Sequence, residues 1–215
     1  MTKKLFAKSL PGFTMIEIAI VLMVMGIIAG AVFKGQDLLE AAKVRAVLND
    51  FNRFKLAVVN YQETYGAFPG DDPHASDHFG SDGIDGNGDG MIVGESEEHN
   101  FWVHLFKAGY LSSDKIPSSK FGGRYSVVFG PTDQIPGHWL QLGKENGARA
   151  NGGLFTPRQA QMIKSKAEDG GSSVNPSEGT LRVIEAAGIP AGQCIHSGHF
   201  NLSVTAPVCV ILCSF

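Results

Sequence analysis

Hydrophobic positions along the chain form two successive patterns, a continuous one followed by a periodic one. From Phe13 to Phe33 the sequence is apolar, and Glu17 is its one charged residue. At about 1.5 Å per residue, this stretch forms a helix of roughly 30 Å, which matches the hydrocarbon core of a bilayer. Three lysines precede it, so the positive-inside bias favours a cytoplasmic amino terminus. We therefore predict a transmembrane helix over 13–33.

The periodic pattern predicts that the helix continues as an amphipathic segment over 34–65. Its apolar residues recur at gaps of three and four: Val44, Val47, Phe51, Phe54, Val58, Tyr61 and Tyr65. Gly66 and Pro69 then end the helix. A coiled-coil stalk would need more heptads than this stripe supplies, so packing within one chain is favoured.

Residues 66–215 are rich in glycine and contain short β-like runs. We predict strands at Tyr125–Phe129, Trp139–Leu142, Leu181–Glu185, Phe200–Thr205 and Val208–Cys213. One short helix is predicted over Phe101–Tyr110, with Trp102, Leu105 and Phe106 facing inward. Another is predicted after Thr156, which stands where an N-cap would, with Gln159 three residues later. The expected fold class is α+β: a long N-terminal helix packed under an antiparallel sheet with long loops.

Composition and charge narrow the function classes. The chain of 215 residues has 18 Lys+Arg against 21 Asp+Glu, a net charge of -3, and 43% hydrophobic residues. This much apolar side chain can form a core, so a disordered chain is not expected. The absence of a basic excess disfavours nucleic acid as a partner.

Glu17 stands out because a carboxylate in a membrane helix costs about 2.5–3.5 kcal/mol on insertion scales. One interpretation is a simple signal anchor, in which Glu17 extends to the headgroups from near the helix end. The other interpretation is that Glu17 has a charged partner or a task.

The residues around Glu17 favour the second interpretation, in which Glu17 has a functional role. Residues 12–17 are Gly-Phe-Thr-Met-Ile-Glu, between a short basic leader and an apolar helix. They resemble the processing site of type IV prepilins and type II secretion pseudopilins. The resemblance implies that 1–12 is a leader peptide, cleaved after Gly12 by a prepilin peptidase, and that the new Phe13 amine is methylated. It also implies that Glu17 pairs with the terminal amine of a neighbouring subunit during assembly.

An acidic, glycine-rich loop is a candidate calcium site. Oxygen ligands at alternate positions match the first half of an EF-hand loop, and nearby acids could complete the shell. The candidate ligands are Asp85, Asn87, Asp89, Met91, Glu95 and Glu97. The position expected to hold a bidentate glutamate is Ser96, so the loop departs from the motif. The alternative is a turn whose side chains cap their own backbone.

The three cysteines lie near the carboxyl terminus, on the side of the membrane predicted to be oxidising. If Val208–Cys213 is a strand, Cys209 and Cys213 are too far apart to bridge, so Cys194 is one partner. A hairpin at Ala206–Pro207 would favour a Cys194–Cys213 disulfide over the pairing of Cys194 with Cys209. Three buried free thiols are the remaining alternative.

Two histidine-containing groups could be considered as metal sites. One comprises Cys194, His196 and His199, and the other comprises His74, Asp77 and His78. Neither provides a complete four-ligand set at the spacing of structural zinc. No catalytic motif is present either, so an enzyme is not expected.

The sequence thus predicts a structural, minor subunit of a type IV pilus or of a type II secretion pseudopilus. Before assembly the chain would be a single-pass protein of the bacterial inner membrane, with residues 66–215 forming a periplasmic head. Its partners would be the prepilin peptidase, other pilin or pseudopilin subunits and the inner-membrane assembly platform. The alternative function is a calcium-dependent binding or adhesion module at a filament tip.

Overall fold

The computed structural model describes residues 12–132, 135–147, 149–168 and 175–215. Most of the leader, 1–11, therefore lies outside the described residues. By their internal contacts, the residues divide into two compact units, Met1–Ala42 and Lys43–Phe215, which are considered separately below.

Along the described chain, three α-helices come first, followed by four strands, a fourth α-helix and four more strands. The helices are α1 Met15–Tyr65, α2 Ala75–Phe79, α3 Glu95–Lys107 and α4 Pro157–Ala167, with a single 3₁₀ turn at Gly80–Asp82. The strands are β1 Ser118–Ser119, β2 Gly122–Phe129, β3 His138–Asn146, β4 Arg149–Gly152, β5 Leu181–Glu185, β6 Ile195–His196, β7 His199–Phe200 and β8 Cys209–Ser214. The fold is α+β, as the sequence predicts.

In the first unit, α1 is exposed from Met15 to Leu39, and Glu40 and Ala41 are half-buried. Phe13 is 85% exposed and Met15 is 94% exposed. The most apolar window of α1 has a mean hydropathy of 2.6, and none of it is buried. By length and composition this helix can cross a membrane.

In the second unit, the predicted stripe of α1 packs into the main core. Its buried residues are Val44, Val47, Phe51, Phe54, Ala57, Val58 and Tyr61, and Tyr65 is half-buried. The Phe54 ring contacts Trp102 of α3 and Tyr125 of β2 edge-on, at centroid distances of 5.2 and 5.0 Å. The Tyr125 hydroxyl also donates to Asp50 at 3.1 Å. The interpretation that the stripe packs within one chain is confirmed.

The main sheet is antiparallel, with the order β1-β2-β3-β8-β5 and with β4 added to β3. Side chains alternate between the two faces of a sheet. Both faces of this sheet carry buried apolar residues. The face on the main core includes Tyr125, Val127, Leu140, Leu142 and Ile211. Val128, Trp139 and Leu212 form a smaller cluster with Ile135 on the other face.

Helix ends follow the local sequence. Thr156 and Gln159 form a capping box, with the Thr156 hydroxyl accepting from the Gln159 amide and the Gln159 side chain accepting from the Thr156 amide. The predicted helix at 101–110 begins earlier, at Glu95, and ends at Lys107. Trp102 and Leu105 are buried as predicted, whereas Phe106 is only half-buried.

The strand prediction at Phe200–Thr205 is wrong. Only His199–Phe200 is a strand, and it pairs with Ile195–His196 in a separate two-stranded sheet. Asn201 turns the chain away, because its amide donates to the Cys194 carbonyl and its side chain donates to the Gly192 carbonyl. No hairpin partner for β8 exists at this place among the described residues.

The predicted Cys194–Cys213 disulfide is also wrong, because Cys194 bridges Cys209, with their Cα atoms 5.4 Å apart. The reason lies in the pairing of β5 with β8, in which Glu185 stands opposite Cys209 and Leu181 stands opposite Cys213. The connection that contains Cys194 leaves β5 at Glu185, so it starts beside Cys209. Cys213 is a buried free thiol at the far end of β8.

Candidate functional site

The exposed start of α1 carries the residues of the predicted processing and assembly site. Gly12 and Phe13 are exposed, and neither belongs to the helix, which begins at Met15. A Cβ atom added at Gly12 would meet nothing within 4 Å, and the backbone there is not in a conformation that favours glycine. Nothing in the described fold therefore requires glycine at this position.

Glu17 makes a contact that the sequence analysis missed. The Thr14 amide and hydroxyl both donate to Glu17 Oε2, at 2.8 and 2.7 Å, and the Glu17 amide donates back to the Thr14 hydroxyl at 3.3 Å. This reciprocal pattern is a capping box at the N-terminus of α1. The signal was readable as Thr-x-x-Glu before an apolar run. In the described residues, Glu17 Oε1 makes no hydrogen bond, so it keeps its acceptor capacity.

Large apolar side chains follow Glu17 on every side of the helix. Those that follow Glu17 and are exposed in this unit are Ile18, Ile20, Val21, Leu22, Met23, Val24, Met25, Ile27, Ile28, Val32, Phe33, Leu38 and Leu39. Exposed apolar surface of this extent marks a membrane-contacting or protein-contacting surface.

Of the predicted calcium ligands, Asp85, Asn87, Asp89 and Met91 lie in one loop, whereas Glu95 and Glu97 lie in the first turn of α3. The side-chain oxygens of the three loop residues Asp85, Asn87 and Asp89 accept hydrogen bonds from the protein itself. Asp85 accepts from the Ser76 amide and hydroxyl at 2.7 and 3.0 Å. Asn87 accepts from the Asp89 amide, and Asp89 accepts from the Met91 amide, both at 2.8 Å. The bonds of Asn87 and Asp89, each to the amide two residues later, are the self-capping turns of the alternative interpretation.

The two glutamates of the calcium prediction are placed differently from each other. Glu97 is buried and accepts from the amides of Asn87 and Val93, at 3.3 and 2.9 Å, whereas Glu95 is exposed. Among the residues that the structure describes, no group of three or more His, Cys, Asp or Glu side chains is arranged to hold a metal ion. Calcium binding stays a prediction.

Asp71 organises this loop, and the sequence analysis did not single it out. Its Oδ1 accepts from the amides of Gly88 and Asp89 at 2.8 and 3.2 Å, and its Oδ2 accepts from the Gly90 amide at 2.8 Å. The only sequence signal was an acidic pair, Asp71 and Asp72, after a Pro-Gly turn. The neighbouring Asp72 is buried too and accepts from the Tyr61 hydroxyl at 2.7 Å. Burial and this bond both raise the pKa of Tyr61.

Two histidines accept hydrogen bonds from the same region. His104 Nδ1 accepts from the Gly70 amide at 2.9 Å, and His138 Nε2 accepts from the Ile92 amide at 3.2 Å. Burial lowers the pKa of both imidazoles. Neither histidine was a sequence candidate, because nothing in the sequence around either one indicates a partner.

The weaker metal hypotheses gain no support. Cys194 is in a disulfide, so its sulfur is not a ligand for a site with His196 and His199. His74 Nδ1 lies 3.3 Å from Asp77 at an exposed position, and His78 Nε2 lies 3.8 Å from Asp72 instead.

Fold and site together define an α+β protein with an N-terminal helix that is long and apolar enough to cross a membrane. Scans of this chain against protein-family models, curated proteins and solved structures find no significant match.

Proposed function

We propose that this chain is a subunit of a type IV pilus or of a type II secretion pseudopilus, a minor one, made as a prepilin. The observation that carries the proposal is the Gly-Phe-Thr-Met-Ile-Glu sequence of residues 12–17 at the exposed start of an exposed apolar helix. On this proposal, the leader is removed after Gly12, the Phe13 amine is methylated, and the helix moves from the inner membrane into a filament.

The open surroundings of Gly12 support a role in processing. Since its Cβ position is free and its backbone is ordinary, the fold itself would accept a side chain there. A protease that binds the chain in an extended form has a different requirement, because a side chain beside the cleaved bond can clash with the enzyme. Glycine at residue 12 is therefore explained better by cleavage than by folding.

The position of Glu17 supports a role in assembly. An isolated carboxylate or ammonium group in lipid is costly, and a pair of opposite charges satisfies both groups. Glu17 lies in the first turn of α1, three residues from Thr14, and its Oε1 is available to a second donor. An incoming subunit would be drawn to the axial position at which its Phe13 amine meets this carboxylate.

The proposed location follows from the same features. The leader lysines would keep the amino terminus in the cytoplasm, and residues 66–215 would face the periplasm until assembly. The disulfide is consistent with an oxidising compartment. The proposed partners are the prepilin peptidase, other subunits and the assembly platform.

Intact-mass analysis tests the processing step. Chain purified from cells that contain a prepilin peptidase should lack residues 1–12 and carry one added methyl group, and chain from cells without the peptidase should be full length. An unprocessed chain in both samples contradicts the proposal.

A matched pair of glycine variants tests the position of cleavage. Gly12→Val should leave the leader attached. Gly35→Val, at a glycine within α1 that also has open space around its Cβ position, should still be cleaved. Cleavage of both variants at the same bond would show that residue 12 does not define the site.

A further inference from the structure

The two histidines hold opposite ends of one segment, residues 70–92, which connects α1 to α3 and contains α2. His104 lies on α3, and His138 is the first residue of β3. Both therefore belong to the framework, while their hydrogen-bond partners belong to the segment.

His104 is fully buried and uses both ring nitrogens on the segment. Nδ1 accepts from the Gly70 amide at 2.9 Å, and Nε2 lies 2.9 Å from the Ile84 carbonyl, to which it donates. An amide can only donate and a carbonyl can only accept, so the neutral ring with its proton on Nε2 satisfies both. A second proton on Nδ1 would face the Gly70 N–H and break that bond.

His138 is half-buried among aromatic rings, and Nε2 is its acceptor. The Ile92 amide donates to this nitrogen at 3.2 Å. The rings of Phe68, Phe129 and Phe215 lie 4.4, 5.0 and 5.7 Å from the imidazole. Protonation at Nε2 would remove the acceptor of the Ile92 amide and place a charge among these rings.

Among the residues that the structure describes, few charged groups face the two imidazoles. Asp72 and Asp85 of the segment favour the charged form of His104, and the Tyr61 hydroxyl of α1 lies 3.5 Å from Nδ1 while donating to Asp72. Asp71 favours the charged form of His138. Burial is the larger effect at both sites, so the pKa of each imidazole is lowered.

We propose that His104 and His138 form a pH-sensitive latch on residues 70–92, closed when both imidazoles are neutral and opened by their protonation. The latch does not rest on the proposed function, since every contact in it belongs to the second unit. Opening frees the Gly70 and Ile92 amides together and releases Ile92, which is fully buried when the latch is closed.

The sign follows from the lowered pKa values. When the segment opens, each imidazole of the framework is exposed to water and regains a pKa of about 6.5. The open state therefore binds protons more tightly than the closed state. The closed state is therefore fully favoured above about pH 6.5 and loses stability as the pH falls below it. Each histidine can raise the open fraction by up to about tenfold per pH unit in that range.

Hydrogen exchange of the full chain in detergent micelles, with EDTA present, tests the latch. Protection factors, which remove the pH dependence of the chemical exchange rate, are compared between about pH 7.5 and about pH 5.5, where unperturbed aspartates stay ionised. Amides of residues 70–92 should lose protection on acidification, by tenfold or more, while amides of β3 and β8 keep theirs.

Variants assign the loss to the latch. In His104→Asn and His138→Gln, an amide oxygen can replace the accepting nitrogen without titrating, so each should reduce the pH dependence and the double variant should abolish it. His99→Asn, at an exposed histidine on the same helix, should behave as wild type. Glu98, whose pKa burial raises, is present in every variant, so its titration cannot mimic the result.

Three outcomes would overturn the latch: unchanged protection of 70–92 in wild type, an equal loss across β3 and β8, or an undiminished pH dependence in the variants. His138→Gln alone decides the last point if substitution of the fully buried His104 prevents folding. Processing of the leader is a separate readout and is unaffected by any of these outcomes.

Discussion

Asp71 shows how one buried carboxylate can define a glycine-rich loop. It is 3% exposed, and three successive amides, those of Gly88, Asp89 and Gly90, donate to its two oxygens. Gly88 and Gly90 have positive φ values of 71° and 81°, which turn their amides inward in a conformation that side chains rarely adopt. The Asp71 carboxylate therefore fixes the loop through its hydrogen bonds with these three amides.

Asp71→Asn should lower the stability of the protein. The asparagine would present an NH₂ group to at least one of the three amide donors, and a buried amide without an acceptor costs about 1–3 kcal/mol. For a domain of this size, that loss lowers the melting temperature by a few degrees, about 2–4 °C for each kcal/mol. Thermal unfolding followed by circular dichroism measures it. Asp77→Asn, at an exposed acid, is the control and should change little.

Residue-level prediction from the sequence succeeded where a local rule applied and failed where the partner is distant. The Thr156 cap was predicted because its partner, Gln159, is three residues away. The Thr14–Glu17 cap follows the same rule. It was not predicted, because a charge inside an apolar helix was interpreted as a sign of a partner in another subunit. The bond from Gly70 to His104 spans 34 residues, and no local pattern encodes it.

At the scale of elements, the connection between β5 and β8 is fixed at its start by Glu185. The Glu185 carboxylate accepts from the amides of Gly192, Cys194 and Ile195 at 2.8–3.1 Å. These bonds fold the connection back over the end of β5, where Cys209 is the paired residue of β8. The disulfide then links two positions that the hydrogen bonds have already brought together.

Alkylation mapping should find one reactive thiol. In denaturant without reductant, Cys213 should be alkylated, while Cys194 and Cys209 should appear as one disulfide-linked peptide pair. Labelling of Cys209 in place of Cys213 would contradict the structure.

Loss of this disulfide should also destabilise the second unit. It closes a loop with a sequence separation of 15, for which the chain-entropy model gives about 3 kcal/mol. The Cys194→Ser/Cys209→Ser variant should therefore unfold at lower temperature than Cys213→Ser, which removes no covalent link.

The strand predictions show what periodicity can and cannot supply. The prediction of Leu181–Glu185 has the observed bounds, because its alternating residues Leu181 and Val183 are buried in the main core and the strand pairs with β8. The run at 200–205 also alternates apolar and polar residues, yet Asn201 bends it through hydrogen bonds to the carbonyl groups of Cys194 and Gly192. The wrong disulfide followed from that one strand, since the expected hairpin depended on it.

At the scale of the whole molecule, the two units differ in what their apolar residues do. The second unit encloses large aromatic residues, including Phe51, Phe54, Trp102 and Tyr125, in its main core. The first unit leaves its apolar side chains exposed along the helix. Such a chain requires an apolar environment for the first unit, either lipid or other helices, and the proposed passage from membrane to filament provides both.

Glu17 is the point at which this account can be tested most sharply, because its charge and its cap can be separated. Glu17→Gln removes the charge and preserves the capping box, in which glutamine serves as well as glutamate. Thr14→Ala does the reverse, and Asp37→Asn removes an exposed acid farther along the same helix. All three variants should still be cleaved, since the residues flanking the bond are unchanged.

The deciding measurement is the amount of each variant in sheared filaments, relative to the amount in the membrane, in cells with a complete assembly system. We expect Glu17→Gln to fall at least about tenfold, because an unpaired ammonium group in an apolar environment costs more than the 1.4 kcal/mol that this factor represents. Thr14→Ala and Asp37→Asn should remain near wild type. Incorporation of Glu17→Gln at the wild-type level would contradict the proposed role of this carboxylate in assembly.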